Sequence, residues 1–346
     1  MNKQPHIFFV GDFQSDNGPG VANRTLFSGF SHEQASYSEA NGLVSRSIEC
    51  FKKIKKADAV CICSFTAFDY LVIYMALFFH KKIFYIQHGF ARYEESMNQM
   101  TDEKKLKSTI KLENFIFKHV DKVYCVSKNF MNYMKEALPE YVQKFDYHFN
   151  TIDFEHIEKY LFHNQTQHHS HVYKIISVGG GMKRKGNLEV CQAIQQCIEE
   201  TNRKIEFYVV GPAYTEKEKI CQYPFVHYID SLPRSELIQL MAVCDLYVQN
   251  SFFETFGLAI IEGNVAGCDV LVSNQVGAKD VFDHLDDTHI IYDNKDIKEI
   301  AEKIAVLSQR NSVRAICQRD KLTPHYSAQQ LYEKISKVLM IERRKI

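Results

Sequence analysis

Several things are missing from this sequence, and each absence removes a class of protein. There is no excess of either charge: 42 Lys and Arg stand against 42 Asp and Glu, for a formal net charge of zero. A protein that holds nucleic acid by bulk electrostatics needs a basic surplus, so that class is excluded and no nucleic-acid partner is expected. Ten cysteines are present but no C-x-x-C pair. Metal sites built on cysteine need clustered ligands, so no metal is expected. Cys61 and Cys63 alternate as in a strand, and Cys191, Cys197 and Cys244 fall in apolar-periodic segments. They read as reduced core thiols, which places the chain in the cytoplasm. The longest apolar run covers residues 71–79, far short of the roughly 20 residues that span a bilayer. The start, Met-Asn-Lys-Gln-Pro-His, runs straight into a strand pattern, so no signal peptide is expected. Asn164-Gln-Thr then reads as a chance match to a glycosylation acceptor.

What is present is alternation. A chain of 346 residues with 45% hydrophobic composition has room for two full cores. Short β-rich apolar runs at 7–10, 59–63, 82–87, 122–126 and 145–148 are separated by helical patterns at 43–55, 68–80, 104–119 and 129–138. The polar stretch 163–171, with four histidines, reads as a linker. Strand patterns resume at 173–178, 205–210, 225–228, 246–249, 270–272 and 289–291, with helices at 187–200, 234–243, 256–266 and 295–307 and a terminal helix at 328–340. Repeated β-α alternation predicts parallel sheets covered by helices on both faces. The expectation is two doubly wound Rossmann-like α/β domains facing a central cleft: 1–165, 166–325, and a helix at 326–346 packing back toward the first. Ligands of such sheets bind beyond the carboxyl ends of the strands.

The most informative string is Asn250-Ser-Phe-Phe-Glu254-Thr-Phe256-Gly257-Leu258-Ala-Ile-Ile-Glu262-Gly-Asn-Val-Ala-Gly267. It follows a predicted strand and opens a helix. Gly257 lets backbone amides approach a ligand, and the helix start favours an anion such as phosphate. Carboxylates such as Glu254 and Glu262 accept hydrogen bonds from sugar hydroxyls. A second string, Ser177-Val-Gly179-Gly180-Gly181-Met-Lys183-Arg184-Lys185-Gly186, follows the first strand of the second half. Its glycines permit a tight turn, and Arg184 and Lys185 can neutralise a diphosphate.

Together these strings resemble the retaining GT-B glycosyltransferases of family 4 (glycosyl transferases group 1), whose E-x-F-G-L-x-x-x-E element has two glutamates eight positions apart. Gly277-Ala278-Lys279-Asp280 resembles the family's next glycine loop, and Phe207-Tyr-Val-Val-Gly211-Pro and 233–245 follow in family order. The resemblance covers most of 173–310. One departure stands out: where the family often reads G-R-x-x-x-x-K-G, Lys185-Gly186 fits but the arginine position holds Gly180. Either Arg184 or Lys183 replaces that arginine, or Lys185 grips the diphosphate alone.

The resemblance implies a nucleotide-sugar donor, a UDP-sugar by preference, transferred with retention of configuration and without metal or other cofactor. It implies Glu254 at the donor sugar and Glu262 at the nucleotide ribose, with amides around Phe256, Gly257 and Leu258 at sugar and phosphate. Gly180, Gly181 and Arg184 join the donor site, and Glu254, His88 and Lys185 are the candidate catalytic residues. The acceptor would be a saccharide or lipid-linked saccharide of bacterial surface polysaccharide or glycoconjugate synthesis.

In the first half, Gly11-Asp-Phe-Gln-Ser-Asp16-Asn-Gly18-Pro-Gly20-Val-Ala-Asn23-Arg follows a strand. Asn23 at the third position breaks the G-x-G-x-x-G dinucleotide pattern. By resemblance this loop faces the cleft, with Gly18, Gly20 and Asp16 as candidates. His88, in Ile86-Gln87-His88-Gly89, resembles the family's cleft histidine at a strand tip. Ser127 and Asn150-Thr-Ile-Asp153 resemble further family positions that also suit structural roles. The lysines of 104–118 and Lys52, Lys53, Lys55 and Lys56 suit a solvated face or peripheral contact with an anionic membrane. Two rivals remain: a non-catalytic subunit of the same fold, and a nucleotide-sugar epimerase.

Overall fold

Continuous apolar runs, rather than alternating ones, mark strands buried on both faces of a parallel sheet. β1 (Ile7–Gly11), β3 (Ala59–Cys63) and β11 (Asp269–Ser273) are such runs, buried at every position. The computed structural model describes residues 4–15, 17–97, 102–161, 172–309 and 314–343. Asp16, the expected linker at 163–171 and Asn164 lie outside the described residues.

The chain forms two compact units, the first made of residues up to Ile152 together with those from Asp320, the second of Asp153–Arg319. These divisions differ from 165 and 325 because α7 (Phe154–Leu161) packs against α10 (Arg234–Ala242) and α11 (Leu258–Ala266) of the second unit.

In the first unit, β1 and β3 are joined by β2 (Ala35–Tyr37), β4 (Lys82–Gln87), β5 (Lys122–Cys125) and β6 (Phe145–Tyr147) in a sheet of order β2-β1-β3-β4-β5-β6. All pairs are parallel. Its helices are α1 (Gly18–Phe27), α2 (Leu43–Lys56), α3 (Phe68–Phe78), α4 (Ala91–Met97), α5 (Glu103–His119) and α6 (Lys128–Ala137). α13 (Pro324–Arg343) packs on α1, where Gly29 is pressed so close to Pro324 that a Cβ would sit 2.0 Å from its carbonyl oxygen. Three-residue β2 was not expected from sequence, because Ala-Ser-Tyr is too short for a periodic signal.

The second unit carries β7 (Val172–Val178), β8 (Lys204–Val210), β9 (Val226–Ile229), β10 (Leu246–Gln249) and β13 (Ile290–Ile291), ordered with β11 as β13-β11-β10-β7-β8-β9. α8 (Asn187–Thr201), α9 (Lys217–Ile220), α10, α11 and α12 (Ile297–Leu307) complete it, and β12 (Phe282–Asp283) pairs antiparallel with β14 (Ile316–Cys317). Val190 and Ile194 of α8 and Ile300 and Ile304 of α12 bury fully against Phe207, Val248 and Leu271. Each such side chain contributes roughly 1.5–3 kcal/mol relative to exposure. Counted from β7, the strand order is 3-2-1-4-5-6 and reverses between β7 and β10, the crevice where doubly wound sheets receive ligands.

The cysteines are free thiols, all buried except Cys221. Among the described residues no helix is long and apolar enough to cross a membrane.

Candidate functional site

The two strings singled out from sequence leave the sheet on either side of that crevice. β7 feeds Gly179-Gly180-Gly181 and a turn at Lys183–Lys185, and β10 feeds the loop to α11. The loops are laced together: the Phe252 amide donates to Arg184 O at 2.8 Å, and Arg184 Nη1 donates to Phe253 O at 3.3 Å. Lys185 Nζ donates to the Glu254 carboxylate, with Arg184 Nη1 4.0 Å from the same oxygen. Burial alone would raise the Glu254 pKa. The Lys185 and Arg184 cations and the Lys185 hydrogen bond outweigh it and hold the carboxyl below its usual value. Glu254 is therefore an ionised acceptor beside two cations.

Gly180 explains the departure from the family's arginine. Its φ is +56°, and a Cβ would lie 2.3 Å from Pro212 O. No L side chain fits there without moving backbone. A Cβ on Gly181 would lie 1.8 Å from Ala213 O, and one on Gly179 2.5 Å from the Lys185 stem. The amides of Gly179 and Gly180 donate to Val210 O, and that of Gly181 to Pro212 O. These glycines therefore shape the loop that aims Arg184 and Lys185, and Lys183 points outward, exposed.

Gly257 adopts φ +102° at the start of α11, and no side chain caps that helix. The Phe256 side chain is buried, while Leu258 begins the first turn, half-buried. The predicted glycine loop closes over this segment: Gly277 and Ala278 amides donate to Glu254 O and Phe256 O at 3.0 and 2.8 Å. Glu262 is 8% exposed, and its Oε1 accepts from Arg234 Nη2 at 2.5 Å.

Sequence reading missed three supports. Asn187, fully buried, accepts from Ser177 Oγ and donates to Gly180 O at 2.8 Å. Asn250 and Asn294 exchange hydrogen bonds from both side chains, tying the β10 loop to the segment before α12. Arg234 lies within 233–245, but nothing in the sequence signals its pairing with Glu262. Asparagine at a strand tip is common in loops, so only contact with a distant carbonyl reveals its work.

In the first unit the sheet reverses between β1 and β3. His88 leaves the tip of β4, and its Nε2 lies 2.7 Å from Asn23 Oδ1. Asn23 Nδ2 donates to Asp12 O and Cys63 O at 2.9 and 3.0 Å. The amide oxygen of Asn23 is therefore the acceptor, and the imidazole carries its proton on Nε2. Burial pushes His88 down to about 4, so the ring is neutral at pH 7. The residue that broke the dinucleotide pattern is thus the one that sets the His88 tautomer.

Gly20 is explained by packing, since a Cβ would lie 2.5 Å from Ser15 O, whereas Gly18 has nothing within 4 Å. Asn17 caps α1 through Gly20 N. Ser127 caps α6 by accepting from Phe130 N, and Asp153 accepts from His156 N at the start of α7. A cavity of about 520 Å³ bordered by α7, α11 and β14 contains none of the candidate residues.

With this geometry in view, residues 159–321 match the family model described as Glycosyl transferases group 1. Over 89 residues the chain is 28% identical to N,N'-diacetylbacillosaminyl-diphospho-undecaprenol alpha-1,3-N-acetylgalactosaminyltransferase of Campylobacter jejuni subsp. jejuni serotype O:2. That match covers 26% of this chain and 23% of the relative, about a quarter of each. Among solved structures, sucrose-phosphate synthase from Thermosynechococcus elongatus aligns at TM-score 0.64 and 14% identity, covering 97% of this chain and 100% of that one. An alpha,alpha-trehalose-phosphate synthase (UDP-forming) from Burkholderia xenovorans aligns at 0.63 and 10%, with the same coverage. WaaG, a glycosyltransferase involved in lipopolysaccharide biosynthesis, aligns at 0.58 and 14%, covering 96% and 99%. The chain has the GT-B fold, and nearly all of its second unit is similar to the glycosyl transferases group 1 model.

Proposed function

We propose that the protein is a retaining glycosyltransferase that moves a sugar from a nucleotide-sugar, a UDP-sugar by preference, to a saccharide or lipid-linked saccharide acceptor in bacterial glycoconjugate synthesis. The observation that carries this reading is the convergence of Arg184, Lys185 and Glu254 at the reversal point of the second sheet, beside an α11 start that no side chain caps. The curated relative is named for transfer of N-acetylgalactosamine to N,N'-diacetylbacillosaminyl-diphospho-undecaprenol, a lipid-linked saccharide, and two of the structural neighbours are named for sugar-phosphate synthesis.

Sugar transfer from a nucleotide builds negative charge on the departing diphosphate. Cations already aimed at that position stabilise the transition state more than the ground state. Lys185 and Arg184 take this role, helped by the first amides of α11. Glu254 is assigned to the donor sugar as an acceptor of hydroxyl hydrogen bonds, with no nucleophilic role. Glu262 is assigned to the ribose hydroxyls, with Arg234 orienting its carboxylate. His88, neutral, is assigned to the donor sugar. Gly18 and Asp16 are assigned to the acceptor side, with Gly20 supporting their loop. Retention follows if the leaving phosphate takes the acceptor proton on the face it departs from.

The non-catalytic alternative drew on the missing arginine at position 180. Arg184 beside Glu254 favours the catalytic reading.

The test is thermal unfolding against UDP-, GDP- and ADP-sugars, with Glu262→Ala alongside. At about 100 times Kd a ligand adds roughly 2.7 kcal/mol. A shift with one nucleotide class that is lost in the variant supports the donor site. No shift with any donor sinks the reading, and conversion of the donor with no acceptor present would instead identify an epimerase.

A further inference from the structure

The apolar run at 71–79 is absorbed by nothing in the donor site. It forms α3, which is apolar on both faces. Val72, Ile73 and Ala76 bury against the sheet, while Leu71, Tyr74, Leu77 and Phe78 face outward, Phe78 at 71% exposure. A helix apolar all round is normally enclosed by protein or lipid. Its neighbour α2 repeats the pattern: Val44, Ile48 and Phe51 form an outward stripe at helical spacing, with Val44 72% exposed. The helices adjoin, and the Phe51 ring of α2 lies 4.9 Å from that of Phe79, which directly follows α3. More than half of the exposed large apolar side chains among the described residues lie on these two helices, a concentration that marks an interaction surface.

Lysines flank this face. Lys52, Lys55 and Lys56 are exposed at the end of α2, and among the described residues no carboxylate pairs with them. On the other flank Tyr74 meets Phe115 of α5 at 5.3 Å, and α5 exposes Lys104, Lys107 and Lys111. Lys105 and Lys107 pair with Glu95 and Glu103, which leaves Lys104 and Lys111 of α5 as a second basic flank opposite that of α2. A second copy of this chain, related by a two-fold axis, would bring lysine flank against lysine flank. An anionic lipid surface meets both features, apolar stripe and basic rim.

We propose that the outward face of α2 and α3 docks the protein on an anionic bilayer, with Ile48, Phe51, Tyr74 and Phe78 entering the headgroup boundary and Lys52, Lys55 and Lys56 on the lipid charge. This assignment is independent of the donor-site reading and fails or stands without it.

The chain has no tryptophan, so Phe78→Trp gives a single fluorescent reporter on α3. Tyr214→Trp, at an exposed position of the second unit, gives a control. The full chain is mixed with vesicles of equal parts phosphatidylcholine and phosphatidylglycerol, and with phosphatidylcholine alone. Expected are flotation with the anionic vesicles only, weakened by salt, and a blue shift of indole emission in the Phe78→Trp variant with none in the Tyr214→Trp variant. Lys52→Glu/Lys55→Glu/Lys56→Glu should weaken partitioning roughly a hundredfold, and Tyr74→Ser/Phe78→Ser about tenfold, with melting temperature and donor-induced shift unchanged. The proposal is overturned if the parent does not float with anionic vesicles, if emission of the Phe78→Trp variant does not move, or if the lysine variant binds equally well. It is overturned in favour of a second copy if light scattering shows a dimer without lipid that Tyr74→Ser/Phe78→Ser dissociates.

Discussion

The two sheets are both parallel and doubly wound, yet the candidate side chains at their carboxyl edges differ in charge. In the second unit the reversal point carries two cations around an ionised Glu254, with glycines at φ +56° and +102° bending the loops. In the first unit the corresponding edge holds a neutral imidazole in one tautomer, fixed by Asn23. Glycine there serves close packing, as at Gly20, or open space, as at Gly18. Charge suits a diphosphate. A neutral imidazole suits uncharged hydroxyls. Two doubly wound parallel sheets of different strand order thus present different chemistry through their loops.

The largest expected effect breaks the charged edge. Lys185→Ala should lower transfer by about a hundred- to a thousandfold, measured as initial rate with the donor chosen by melting, while His88→Gln costs less. The next tests whether loop shape dictates residue 180. Gly180→Arg, which installs the family's residue, should destabilise by on the order of 2–3 kcal/mol, read from denaturant midpoints. Full stability would show that the loop opens readily and that Arg184 is not a forced replacement. Gly18→Ala should leave the midpoint unchanged, with any loss confined to turnover.

A smaller effect probes the neutral edge. Asn23→Ala removes the acceptor of the His88 proton and should reduce kcat about tenfold with the donor-induced melting shift retained. Loss of both together would make Asn23 a prop of the fold. The smallest is a pH slope. Because burial lowers His88 from 6.5 to about 4, its neutral form is favoured in the folded state. That contribution is fully present above pH 6.5 and is lost as pH falls toward 4. Burial lowers His148 as well, so the parent should melt lower at pH 5 than at pH 7.5, and His88→Gln should show a shallower slope but not a flat one.

How far the site was legible varies residue by residue. Glu254, Glu262, Gly257 and Lys185 stand out because anion and hydroxyl recognition at a strand tip needs those residue types at local spacing. Gly180 was visible as a departure, but its reason lay in Pro212 O, more than thirty positions away. Arg234, Asn187, Asn250 and Asn294 were silent, because a lone polar residue in a loop or at a helix start has no periodicity and its partner is set by how segments after different strands meet. Asn23 was read as breaking a pattern when its amide was tying Asp12, Cys63 and His88 together.

Taken alone, the sequence determined the alternation of strands and helices, the long core strands and the string from Asn250 to Gly267, since burial on both faces and local backbone geometry act over a few residues. Tertiary structure decided which strand tips adjoin, which cations meet Glu254, which way the His88 ring is protonated and that half of an apolar helix faces outward. Those depend on contacts between segments far apart in the chain, where a hydrogen bond or an exposed face exists only once the sheet has fixed the distance.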